Sequence, residues 1–323
     1  MSNKIKNPLD FELPLVELEA KFFELTQNLT DDPKELKEAK SLENQISKLK
    51  TDTYLKLSPY QRLQLSRHFD RPYTQDYIDR FVHNFVELHG DRVFRDDPAI
   101  ISGTGKIGKE NVVVIGHQRG RTTQERLLRN FGMPQPDGYR KALRMFRLAE
   151  KFDMPIICFI DTQGAYPGLE AEERGQAEAI AKNLEVLAGI KVPSISVIIG
   201  EGGSGGALAL GVTNRILMLS NACYSVISPE GCSSILFKNQ GNPQANTATA
   251  AENLKINAPN LLEFGIVDEV IEEPSGAAHR NHKETAELLE ASLIKHMDDL
   301  RKLSKEDLIE DRYDKFRKIG DYN

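Results

Sequence analysis

The residues whose types and spacing suit them to chemistry lie in Val197-Ile-Ile-Gly-Glu-Gly-Gly-Ser-Gly-Gly-Ala-Leu-Ala-Leu-Gly211. Consecutive glycines leave backbone N–H groups uncovered, and at a helix start those groups have no carbonyl partner of their own. Amides of that kind hold an oxygen that carries negative charge. One chemistry on offer is therefore an anion hole made by the amides of the glycine loop 200–206. A second is nucleophilic: Gly202-Gly-Ser-Gly-Gly206 satisfies G-x-S-x-G, with Ser204 at the elbow of a serine hydrolase. Asp268 and then His279 or His282 follow in the chain order that such hydrolases use. A phosphate loop fits poorly, because no Gly-Lys-Ser/Thr ending is present. The plain reading is a glycine turn that packs a helix tightly on a sheet. Spacing alone leaves these alternatives open.

The elements that must position the loop are legible around it. Residues 193–199 are an apolar run of the kind buried on both faces of a parallel sheet, and 207–210 read as the first turns of an apolar helix. Upstream, 155–160 is a second buried strand that ends in Asp161-Thr-Gln-Gly-Ala-Tyr-Pro-Gly168, and a long helix is predicted over 170–188. Strand, glycine loop and helix, twice in succession, is α/β organisation with both loops facing one cleft.

Before these units, Leu15, Leu18, Phe22 and Leu25 recur at helical spacing, as do Leu36, Ala39, Leu42, Ile46 and Leu49. The turn Thr30-Asp-Asp-Pro33 supplies an N-cap and a first-turn proline. Residues 1–57 are accordingly expected to form a helical hairpin that serves as a scaffold or subunit contact. Helices are predicted over 59–66 and 74–88, with Tyr77, Phe81 and Phe85 on one face of the latter. Strands follow over 99–106 and 111–117. Between them Gly103-Thr-Gly-Lys-Ile-Gly108 spells G-x-G-x-x-G, yet it leads into a strand where a dinucleotide fingerprint must open a helix. It is read as a hairpin. The arginines and lysine at 119, 121, 126, 129, 140, 141, 144 and 147 read mainly as a solvated helix face, with Asp137 capping the helix; a lesser reading has them steer a phosphate-rich substrate. Short strands over 215–219, 224–227 and 266–271, and helices over 228–231 onward, 247–255, 259–264, 283–300 and 304–318, complete the chain.

Composition narrows the function classes. The 323 residues are 40% hydrophobic and 28% charged with a net charge of −6, which fits a globular protein with a large core and argues against a nucleic-acid or anionic-membrane surface. No apolar run is long enough to span a bilayer and no leader pattern precedes residue 30, so a cytoplasmic location is expected. The three cysteines, Cys158, Cys223 and Cys232, lack metal or redox spacing and read as reduced thiols. His279 and His282 form an H-x-x-H in a polar loop and read as solvated, so no metal is expected.

Four stretches together resemble the carboxyltransferase alpha subunit of bacterial acetyl-coenzyme A carboxylase. They are Asp161-Thr-Gln-Gly-Ala-Tyr-Pro-Gly168, Ala171-Glu-Glu-Arg-Gly-Gln176, Gly200-Glu-Gly-Gly-Ser-Gly-Gly-Ala-Leu-Ala209 and Val226-Ile-Ser-Pro-Glu-Gly-Cys232. Asn130-Phe-Gly-Met-Pro134, Gly138-Tyr-Arg-Lys-Ala-Leu143, Gly276-Ala-Ala-His-Arg-Asn281 and Leu15-Val-Glu-Leu-Glu-Ala-Lys21 extend the likeness nearly end to end. Gln163 departs from the proline that many members carry. The resemblance implies an α/β, crotonase-like superhelix of β-β-α units, with a core over 58–275, the N-terminal helical hairpin, and C-terminal helices over 276–323.

It also implies an alpha chain that works with a beta chain as α2β2, alongside a biotin carboxyl carrier protein and a biotin carboxylase. The reaction implied is carboxyl transfer from carboxybiotin on the carrier to acetyl-CoA, giving malonyl-CoA for fatty-acid synthesis. Gly205 and Gly206 would hold the biotin-derived oxyanion through their amides. Gly202, Gly203, Gly164, Ala165 and Tyr166 would contact carboxybiotin, while zinc would belong to the beta chain.

Overall fold

The computed structural model describes residues 7–27, 30, 32–238 and 242–320. Asp31 of the predicted turn, and the ends 1–6 and 321–323 of the outer segments, lie outside the described residues. The N-terminal periodicity forms two helices, α1 (Leu13–Gln27) and α2 (Pro33–Leu55), packed on each other. Asp32 caps α2 by accepting from the Lys34 amide, ahead of the first-turn proline. Two further helices, α3 (Pro59–Ser66) and α4 (Thr74–Phe81), lead to strand β1 (His83–Glu87).

Here the predicted helix 74–88 is wrong in its second half. The chain leaves the helix at Val82 and pairs His83–Glu87 antiparallel with β2 (Ile100–Ile107). The reason sits on β2: Gly103 and Gly105 lie two apart, on one face of the strand. A Cβ on Gly103 would meet the Phe85 ring at 2.8 Å, so the missing side chains admit β1 at close range. The G-x-G pattern is thus a packing device. Its hairpin is real, with β2 paired antiparallel to β3 (Glu110–His117).

After α5 (Thr123–Leu128) and a 3-10 turn at Asn130–Gly132, α6 (Pro136–Phe152) buries Ala142, Met145, Phe146 and Ala149 as its spacing predicts. β2, β3 and α6 make the first β-β-α unit. From β3 onward the sheet is parallel. β4 (Ile156–Thr162) is buried at every position, as is β5 (Ser194–Gly203), so both read as unbroken apolar runs. Between them the predicted single helix is two, α7 (Leu169–Glu173) and α8 (Gln176–Gly189), separated by Gly175 at φ +80°. Past β5 come α9 (Ser204–Leu208), β6 (Arg215–Leu219) and β7 (Cys223–Ser225). Then follow α10 (Pro229–Leu236), α11 (Pro243–Asn253), α12 (Ala258–Glu263), β8 (Glu269–Ile271), α13 (His282–Leu300) and α14 (Lys305–Lys318). The eight-stranded sheet runs β1-β2-β3-β4-β5-β6-β8, with β7 paired to the end of β5. One core cluster joins Val113, Ile157, Val197 and Leu217 of the sheet to Phe146 of α6 and to Leu289, Leu293 and Met297 of α13.

Two polar predictions fail for a shared reason, burial. The basic run is a solvated face only in part: Arg121 and Arg147 are exposed, but Lys141 is 1% exposed and binds Asp96 at 2.6 Å, and Arg140 pairs with Asp91 at 2.8 Å and Asp137 at 2.5 Å. Asp137 does not cap α6; it is fully buried and gathers Arg95, Arg140 and Arg174. His279 is also buried, with Nε2 at 2.9 Å from Glu12 Oε1. That contact, with Tyr54 donating to the same carboxylate, ties the N-terminal hairpin to the segment before α13.

Candidate functional site

The two glycine loops meet at the C-terminal ends of β4 and β5. Thr162 is level with Gly202, so both chains leave the sheet at the same height. Thr162 then pins the first loop on itself: its Oγ1 donates to the Gly164 carbonyl at 2.7 Å and accepts from the Gly164 amide at 3.1 Å. The Tyr166 amide donates to Pro134 O at 3.0 Å, and Gln176 Nε2 donates to Pro134 O and Tyr166 O.

Against this fixed loop the second one packs backbone to backbone. A Cβ on Gly206 would lie 2.5 Å from the Gly164 carbonyl carbon and 2.6 Å from the Ala165 nitrogen. One on Gly203 would collide with the Gln163 carbonyl. Glycine here is required by contact between loops. A Cβ on Gly205, by contrast, would meet only Ile180 at 3.7 Å, an ordinary packing distance.

The helix begins at Ser204, three residues before the predicted start, so Gly205 and Gly206 fall in its first turn. First-turn amides have no carbonyl four residues back inside the helix. Among the described residues, neither amide donates to a loop carbonyl or to a side chain. Ser204 is exposed, Gly205 half-buried and Gly206 buried, so the pair runs from the surface inward. Because α9 is only five residues long, any pull on an anion comes from these individual N–H dipoles and little from a long macrodipole. Gly202, Gly203 and Gly164 are buried, whereas Ala165 and Tyr166 are half-buried.

Charged groups behind the loops are arranged in a line that spacing did not reveal. Arg67 reaches Glu230 at 2.7 Å and Glu201 at 2.6 Å; Arg119 reaches Glu201 at 3.3 Å and Asp161 at 3.0 Å. Burial pushes the Asp161 carboxyl above its ordinary value, with Arg119 working against that rise. Asp161 Oδ1 also accepts from the Glu201 amide at 3.1 Å, so one carboxylate links the first residues of both loops. Beside the loops is a shallow recess open to solvent, lined by Gln163, Gly202, Gly203, Ser225, Ser228 and Pro229 among others. Cys223 borders it, but burial lifts its thiol to about 12, which leaves it protonated and inert at neutral pH.

Comparison with known proteins now bears on this geometry. A family model described as acetyl co-enzyme A carboxylase carboxyltransferase-like matches residues 8–320. An acetyl-coenzyme A carboxylase carboxyl transferase subunit alpha from Geobacter metallireducens is 52% identical over 313 residues, covering 97% of each chain. The protein of the same name from Fusobacterium nucleatum is 48% identical over 322 residues, covering 98% of this chain and all of its own. The chain belongs to the acetyl-CoA carboxylase carboxyltransferase alpha-subunit family. Among solved structures, the transcarboxylase 12S core superimposes with a TM-score of 0.53 at 18% identity, over 69% of this chain and 42% of that one. The beta subunit of Pseudomonas aeruginosa geranyl-CoA carboxylase gives 0.53 at 17%, over 72% and 48%. These likenesses show the fold, which is mixed α/β and crotonase-like.

Within a carboxyltransferase alpha chain the hydrolase reading of the loop has no support from geometry. Asp268 accepts from the Ile216 amide at 2.6 Å, and Ile216 is level with Ser196 at the opposite end of β5. From Ser196 to Ser204 is roughly 25 Å at the rise of a strand. His279 is committed to Glu12, and His282 Nε2 lies 2.5 Å from Asp70 O. No acid–base pair stands behind Ser204. Glu12, His68 and His279 bring ligand-type atoms within 4.8 Å of one another, but His68 Nδ1 accepts from the Asp70 amide and Nε2 faces Asn7 O. Those nitrogens are already used, so the group reads as a hydrogen-bonded latch. No helix among the described residues is long and apolar enough to cross a membrane.

Proposed function

We propose that this chain works with a carboxyltransferase beta subunit, as α2β2, to move the carboxyl group of carboxybiotin to acetyl-CoA. In that reaction the N–C bond of the substrate carboxybiotin breaks and a C–C bond forms to the acetyl methyl carbon. The methyl proton passes to the biotin nitrogen, and malonyl-CoA results. The carrier protein presents the biotin, and a biotin carboxylase loads it. Negative charge builds on the ureido oxygen as the carboxyl leaves, and the amides of Gly205 and Gly206 face that oxygen. One well-placed donor lowers such a barrier by roughly 3 kcal/mol. Gly202, Gly203, Gly164, Ala165 and Tyr166 form the walls along which the bicyclic ring lies.

The observation that carries this reading is the pair of first-turn amides with no acceptor among the described residues, one of them, Gly206, pressed backbone to backbone on the Gly164 loop. A second observation supports the two-chain site. The recess encloses only about 10 Å³, far below the range of roughly 300–1,000 Å³ in which small molecules are enclosed. Val226, Ile235 and Leu236, just before α10 and at its end, stay 65–79% exposed, leaving apolar side chains for a second chain to cover. A dry, shared cleft also keeps the carboxyl from escaping as bicarbonate.

The test is reverse transfer: the chain, a beta subunit, biotin and malonyl-CoA, followed as acetyl-CoA release. Turnover that needs both chains supports the reading. Labelling of Ser204 by a fluorophosphonate, with esterase activity lost in Ser204→Ala, would instead restore the hydrolase.

A further inference from the structure

His117 ends β3, one strand removed from β5, yet its side chain reaches both glycine loops. The imidazole is fully buried. Nδ1 accepts from the Asp161 amide at 3.4 Å, which places the proton of the neutral ring on Nε2. That Nε2 is buried and closes no hydrogen bond of normal geometry among the described residues. The ring lies beside the backbone of Phe159 and of Gly206. Burial holds the ring's pKa down at about 3, so it stays neutral across the working range. A buried N–H without a full partner is unfavourable. Such a group in a native fold calls for an explanation, and a role in the reaction is one.

We propose that His117 is a positioning residue for carboxyl transfer: wedged between Asp161 and Gly206, it sets where the Gly205–Gly206 amides sit against the first loop. The proposal rests on the amide reading given above. The N–H directed at the Gly206 backbone closes fully when the loop tightens on a bound anion, so the imidazole favours the loop position that the transition state uses. Arg119, two residues on, holds Asp161 and Glu201 independently. The strand ends therefore keep their register when His117 is replaced.

The experiment uses the αβ complex in the reverse assay with biotin and malonyl-CoA, comparing His117→Leu, His117→Gln and His117→Asn. His117→Leu is expected to lower kcat by about tenfold or more while the KM for malonyl-CoA stays within about twofold. His117→Gln, which can place an amide N–H where Nε2 was, is expected to recover most of kcat. His117→Asn, which replaces only the δ position, is not. The pH profile of kcat keeps its shape throughout. Unchanged kcat in His117→Leu overturns the proposal, as does a loss across all three variants that follows their melting temperatures. If His117→Leu does not assemble, the Gln and Asn variants decide by the same ordering. Gly205→Pro, run alongside, separates the two claims. If it is inactive while His117→Leu is fully active, only His117's role falls; if it is active, the amide reading falls too.

Discussion

Ser204 holds φ +53° where β5 turns into α9, exposed and with no base against its hydroxyl. A left-handed conformation costs a residue with a Cβ about 1–2 kcal/mol, while a glycine in its place gives back about 0.4–1 kcal/mol through the freer unfolded chain. Ser204→Gly is therefore expected to melt at the same temperature or slightly higher. Carboxyl transfer should remain within about threefold of the wild type. Differential scanning calorimetry and the reverse assay check both, and a large loss of turnover would return the hydroxyl to the mechanism. At this scale the sequence was informative about the loop but silent about its neighbours. Glycines at 203 and 206 announce close approach, since little else explains them. His117 and Arg119 look like any polar residues at a strand end, because the loops they touch lie 42 and more positions away along the chain.

The elements around the site are set by which residues can be buried. β4 and β5 were legible as unbroken apolar runs, and α6 by its inward face. β1 was not, because residues 74–85 carry aromatic residues at helical spacing and only the glycines of β2 disclose that a strand crosses there. The basic stretch misled for a related reason: seven arginines and a lysine suggest solvent, whereas Asp91, Asp96, Asp137, Asp161 and Glu201 meet several of them inside. Arg119→Met leaves Asp161, 3% exposed, without its cation. Breaking a buried pair from one side costs about 3–5 kcal/mol. Urea denaturation should show a loss of that order, and adding Asp161→Asn should recover part of it. An Arg119→Met chain as stable as the wild type would mean the line of charges does not brace the loops.

Over the whole molecule, the C-terminal helices join the sheet through the main core, whereas the N-terminal hairpin is held by a small set of buried contacts. Glu12 is the clearest. Burial by itself would raise its carboxyl, but hydrogen bonds from His279, Tyr54 and the Leu9 amide outweigh that and hold it at about 2. A depressed carboxylate adds stability that is complete above its unfolded value of 4.5 and disappears as pH falls through about 2. The gap in melting temperature between wild type and Glu12→Gln should be widest above pH 5 and should shrink between pH 4.5 and 2. A gap that ignores pH would contradict the latch.

The function of the molecule, in contrast, depends on two amides that no titration touches. Gly205→Pro removes one N–H at a first-turn position, where no intrahelical bond is lost, while Gly205→Ala keeps the N–H and adds a methyl with room to spare. Measured as kcat of reverse carboxyl transfer in the αβ complex, Gly205→Ala should stay close to wild type and Gly205→Pro should fall about 10²–10³-fold. Equal activity in the two variants would contradict the account.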